Sequence, residues 1–330
     1  MTGLLVPLLL GIRMPGEPIG GAIPSKYLFH VLEHRFRTRA EKLTEPKVIF
    51  VGGSNLIFGM RTEELGRRIG RPVANYGLCA FIGLDLIAAR AAEVVRPGDW
   101  VVVAPEALHF FLPQQPNHDR IDFQEPWRPT DNDPWWSDIW SRERARQRCT
   151  AVSTWLATPA RFLMARLLQK AEKPPPPNEF DMFGPGGELV IKRPGATSKV
   201  TDTGSYFAGK DIDFQTSWGA VGFEHLRKVC EQRHARLAVM PAIRVADPKK
   251  DYAQTEEFER LWVDHAVKRG AAVLLGPGES TLHEKQYVFD TEWHLNDAGV
   301  RVMEERLVAA LLKLFGEPPR APAPPEKGTD

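Results

Sequence analysis

Only three cysteines occur in 330 residues, Cys79, Cys149 and Cys230, and none stands in a Cys-x-x-Cys pair. That excludes a thiolate zinc site and a disulfide framework. Excess charge is missing too. Lys and Arg number 43 against 42 Asp and Glu, a net of +1, so no global field gathers phosphate backbones and nucleic acid is not an expected partner. The apolar start at 1–12 (MTGLLVPLLLGI) stops at Arg13, short of the roughly 20 residues a spanning helix needs. It also lacks the basic opening of a secretory signal. It reads either as the trailing part of a membrane anchor or as a segment packed on the domain. No internal repeat is present, which excludes a solenoid.

What is present is an ordinary globular mixture, 43% hydrophobic and 26% charged. Pro and Gly make 13–24 a linker, and 26–43 reads as a helix that is basic at one end. From Lys47 onward short apolar runs alternate with longer helical patterns, the signature of βαβ units. The runs are 47–51, 72–76, 100–104, 236–243 and 271–276, and the helical stretches are 62–69 behind a Thr62 cap, 82–95, 220–233, 255–270 and a last one from Asn296 or Asp297 to Phe315. The predicted fold is α/β: a three-layer α/β/α sandwich on a five-stranded parallel sheet of flavodoxin-like order. Such sheets bind ligands beyond the carboxyl ends of their strands. The expected organisation is the apolar segment and linker at 1–24, one α/β domain at 25–315, and a Pro-rich, disordered tail at 316–330. A long insertion, 112–215, separates strands 3 and 4; its Trp127, Trp135, Trp136 and Trp140 either offer a stacking surface for sugar rings or pin it to the sheet.

The first strand runs into VGGSNLIFG, so two glycines precede Ser54 at the carboxyl edge of a central strand and turn its hydroxyl toward the cleft. Near the other end, FDTEWHLNDAG places Asp290 and His294 in the loop that opens the last helix. A serine hydroxyl becomes a nucleophile when an imidazole takes its proton, and the imidazole needs a carboxylate to fix its tautomer. Asp290 is favoured over Glu292, which stands two positions from His294 in an extended loop and would point to the other side. His118 and Asp119 lack a third ligand at useful spacing, so neither a metal nor an organic cofactor is expected.

These blocks resemble the SGNH (GDSL-type) hydrolases, in particular the membrane-associated branch found in bacterial polysaccharide and cell-surface gene clusters. The likeness rests on GGSNLIFGM at 52–60, NYGLCAFIGLD at 75–85, RPGDWVVVAPEALHFF at 96–111 and DTEWHLNDAG at 290–299. The resemblance implies Ser54 as nucleophile, His294 as general base and Asp290 as its orienting carboxylate. It also implies a Gly77 N–H in the oxyanion hole. Asn75 reads either as a turn residue supporting Gly77 or as a substrate contact, and Glu106 either stays protonated, binds something else at the rim, or marks a site whose activity is lost or altered. Three departures stand out. Gly53 replaces the usual Asp, Glu106 stands where the family carries an Asn, and the acid lies four rather than three positions before the histidine.

The expected function is that of a serine-dependent esterase or O-acyltransferase, passing an acyl group, by resemblance O-acetyl, through Ser54 on acylated polysaccharide outside the cytoplasm. Association with a membrane would run through 1–12. The rival from another class is a non-catalytic carbohydrate-binding or assembly protein that keeps the fold. A phosphate-binding turn at GGSN lacks the lysine of GxxxxGK[ST] and is the weakest reading.

Overall fold

The computed structural model describes residues 25–111, 193, 212–247 and 252–316. The chain divides into two compact units, Met1–His30 with Asn117–Asp181, and Val31–Pro116 with Met182–Asp330. Of the first, only Ser25–His30 is described, as the opening of helix α1 (Ser25–Lys42). The apolar run at 1–12, the four insertion tryptophans and the tail beyond Gly316 lie outside the described residues.

The second unit is built on five parallel strands, β1 (Val48–Gly52), β2 (Val73–Gly77), β3 (Trp100–Ala104), β4 (Arg236–Val239) and, after a short β5, β6 (Ala272–Val273). Their order across the sheet is β2-β1-β3-β4-β6, the flavodoxin-like arrangement. Every residue of β1, β2 and β3 is buried, as expected of central strands covered on both faces. Period-two alternation splits their side chains. Val48, Phe50, Trp100 and Val102 join a core with Leu65 and Ile69 of α3 (Thr62–Ile69) and with Met303, Leu307 and Leu311 of α8 (Asp297–Phe315). Ile49, Val51, Val101 and Val103 point to the opposite layer, where α4 (Leu84–Glu93) packs on α6 (Trp218–Gln232).

Local chemistry explains most of the element ends. Asn296 caps α8 by accepting from the Ala298 and Gly299 N–H groups at 3.1 and 3.0 Å. Thr62 does not cap α3. It is the first helical residue, and its buried hydroxyl has no hydrogen-bond partner; Arg61, extended at φ −110°, takes the cap position. The fourth strand is shorter than 236–243 because Pro241 has no N–H for the ladder. The chain there leaves the sheet, and β5 (Arg244–Val245) pairs with β7 (Thr281–Leu282) in a separate two-stranded ribbon with no sequence forewarning.

A buried ion pair ties the amino ends of β1 and β3. Lys47 and Asp99 are 0% and 1% exposed at the side chain, and Lys47 Nζ donates to Asp99 Oδ2 at 2.7 Å. The same carboxylate accepts from the Lys47 N–H at 2.9 Å and the Arg96 N–H at 2.8 Å. Asp99→Ala would strand a buried ammonium and two N–H donors, so urea unfolding should show a loss of about 3–5 kcal/mol. Adding Lys47→Met should restore part of it; a single variant within 1 kcal/mol of wild type would contradict this account.

Candidate active site

The site assembles at the carboxyl ends of β1, β2 and β3, which finish level: Gly52 is in register with both Gly77 and Ala104. A Cβ on Gly52 would fall 2.3 Å from the Ala104 carbonyl oxygen, so only glycine lets the strands come this close. The chain then turns at extended Gly53 and enters α2 (Ser54–Gly59) with Ser54 as its first residue.

The general base arrives on a loop closed by its own hydrogen bonds. Phe289 N–H donates to the His294 carbonyl at 2.8 Å, His294 N–H donates to the Thr291 carbonyl at 3.2 Å, and Val288 and Leu295 form an antiparallel bridge. This loop sets His294 Nδ1 2.6 Å from Asp290 Oδ1 and His294 Nε2 2.9 Å from Ser54 Oγ. In the tautomer these contacts require, Nδ1–H donates to Asp290 and Nε2 accepts from the Ser54 hydroxyl. Burial alone would raise the Asp290 pKa, but the hydrogen bond and charge of His294, helped by the Asp290 and Thr291 N–H groups, hold it below the usual carboxylate range. Buried Glu292 lies 3.4 Å from the Tyr252 hydroxyl instead.

Three further residues shape the site. Phe58 stands four positions after Ser54, on the same face of α2, and its ring stacks on the His294 imidazole at 3.8 Å with 14° between planes. One short helix therefore supplies both the nucleophile and the plate that orients its base. Arg193 links the two halves: Nη1 donates to the Phe58 and Leu295 carbonyls at 3.1 and 2.8 Å, and its backbone N–H donates to Asp297 Oδ2 at 2.8 Å. The i+4 spacing could have singled out Phe58. Nothing in the sequence distinguishes Arg193 within the 112–215 segment.

The third is Glu106, 6% exposed, in the loop after β3. Its Oε1 accepts from the Asn55 N–H at 3.4 Å, which sets the carboxyl beside Ser54 at the start of α2. Burial pushes its pKa up to about 7 against the opposing pull of hydrogen bonding. A Cβ on Gly53 would lie 2.0 Å from Glu106 Oε1, so the glycine clears the space the carboxyl fills.

One expected role is corrected, and of the two readings of Asn75 the support of Gly77 is the one seen. The Gly77 N–H does not face the Ser54 hydroxyl; it donates to Asn75 Oδ1 at 2.7 Å. Asn75 in turn donates from Nδ2 to the Leu56 carbonyl at 3.1 Å and is 2% exposed, so it braces β2 against α2 rather than meeting substrate. A Cβ on Gly77 would sit 2.5 Å from Leu56 Cβ, so β2 and α2 meet this closely only with glycine there. Among the described residues no group of three or more His, Cys, Asp or Glu could hold a metal ion, and no helix is long and apolar enough to cross a membrane. A concavity lined by Trp100, Arg227, Arg236 and Arg269 lies at the opposite, amino-terminal edge of the sheet.

Asn75→Ala would leave the Gly77 N–H and the Leu56 carbonyl buried without partners. Thermal or urea unfolding should register a loss of about 1–3 kcal/mol, with little change in KM for a small ester; a large KM change at unaltered stability would return Asn75 to the substrate.

No protein-family model matches the chain, and no curated protein matches it. A solved structure from Streptococcus pneumonia, named for platelet activating factor, is similar over 95% of this chain and 97% of that one, at 11% sequence identity and a TM-score of 0.36.

Proposed function

We propose that this chain is a serine-dependent esterase or O-acyltransferase that works through an acyl-enzyme on Ser54. The observation that carries the reading is the relay Asp290–His294–Ser54, with contacts of 2.6 and 2.9 Å between residues as far as 240 positions apart in sequence. Ser54 Oγ attacks the ester carbonyl carbon while its proton passes to His294 Nε2, and Asp290 stabilises the resulting imidazolium. The carbonyl π pair moves onto oxygen beside the N–H groups of Ser54 and Asn55. Collapse expels the alkoxide, which takes the proton back from His294. Water, or a sugar hydroxyl in the transferase case, then attacks the acyl-enzyme and gives its proton to His294; collapse breaks the Ser54 Oγ–acyl bond, and Oγ takes that proton back. O-acyl groups of envelope polysaccharide are the proposed substrate class, on the family resemblance alone.

A second reading draws support from Glu106, whose carboxyl already holds the Asn55 N–H beside Ser54: a binding protein that has kept the fold without the reaction. The two separate cleanly. Turnover of p-nitrophenyl acetate should fall by about 10⁴-fold or more in Ser54→Ala and in His294→Ala, and a fluorophosphonate should label wild-type protein at Ser54 by mass spectrometry. Equal turnover in all three proteins with no label would leave only the binding reading.

A further inference from the structure

Glu106 lies beside the nucleophile yet has no part in the relay. On the loop between β3 and α5 (Leu108–Phe111), its carboxyl fills the space beside Gly53 and accepts from the Asn55 N–H, so it flanks Ser54 along the backbone. The tetrahedral intermediate on Ser54 carries its negative oxygen within reach of the same N–H that this carboxyl occupies. An ionised Glu106 would set a second negative charge against that oxygen in a buried, weakly screened place. A neutral carboxylic acid in the same position has an O–H to donate.

We propose that Glu106, in its protonated form, is a catalytic hydrogen-bond donor to the tetrahedral oxyanion on Ser54, and that its ionised form closes the site by holding the Asn55 N–H beside the nucleophile. The proposal rests on the acyl-enzyme reading. The covalent step is unchanged: the Ser54 proton goes to His294, and the Glu106 proton stays on Glu106 throughout, serving as a donor only.

His294 accepts the proton only as the neutral imidazole and Glu106 donates only as the neutral acid, so raising the pH removes the second of these. The titratable groups facing Glu106 are His294 across the Ser54 hydroxyl, with Asp290 behind it. On its own segment stands His109, whose N–H donates to the Glu106 carbonyl at 3.0 Å. Among the described residues no charged side chain contributes to the upward shift of Glu106, which comes from burial.

The test is the pH profile of kcat/KM for p-nitrophenyl acetate, blank-corrected, for wild type and Glu106→Gln, with fluorophosphonate labelling on the acid side of the profile. Wild type should lose activity about tenfold per pH unit above the Glu106 pKa. Glu106→Gln, neutral at every pH and close to the same shape, should show no alkaline fall. A wild-type profile that stays flat above about pH 7 would overturn the proposal without any variant, which guards against a Glu106→Gln chain that does not fold. Parallel alkaline falls in both proteins, or a folded Glu106→Gln that labels at Ser54 but turns over nothing at any pH, would overturn it while leaving the serine reading intact. Absence of both label and turnover in wild type would remove the two together.

Discussion

The catalytic edge depends on how closely three strand ends approach one another. Gly52 lies level with Gly77 on one side and Ala104 on the other, and its missing side chain lets the Ala104 carbonyl oxygen come within 2.3 Å of where a Cβ would stand, a distance no side chain tolerates. That closeness lets one short helix begin where the loop after β3 can reach it and where Asn75 can brace it. At the far end of the same strands the Lys47–Asp99 pair fixes the amino termini of β1 and β3. Register is thus set at both ends, and since a slip of one residue would exchange the faces of every side chain, the position of Ser54 follows from it.

The site is held by parts of the chain remote from one another. Ser54 and Phe58 come from α2, Asp290 and His294 from a closed loop ahead of α8, and Arg193 joins their backbones through carbonyls of Phe58 and Leu295. The imidazole is fixed in three independent ways: a carboxylate at one nitrogen, a hydroxyl at the other and an aromatic ring across its face. Loop, helix and buried guanidinium leave it little rotational freedom, which is the preorganisation a proton relay requires.

Much of this was legible in the sequence because it is written locally. Apolar runs bounded by Gly and Pro mark the strands, Asn296 announces its helix, and a serine behind two glycines together with an acid and a histidine in one loop suggests a relay. What escaped depends on direction and proximity. The family resemblance puts Gly77 beside Ser54 but does not tell which way its N–H points, and here Asn75 takes it. Thr62 has the chemistry of a cap but sits one residue inside the helix. The β5–β7 ribbon is two residues per strand, too short for any period to register. Arg193 acts through carbonyl oxygens, which every residue possesses, so no motif marks its partners.

Gly53 and Glu106 occupy one volume between them, since a side chain at the first would lie 2.0 Å from the carboxyl of the second. Substitutions at the two positions are therefore strongly non-additive. A chain with an acid at both would force two carboxyls into the same space. A side chain at 53 beside the carboxyl of Glu106 would have to displace either that carboxyl or the backbone that carries the nucleophile.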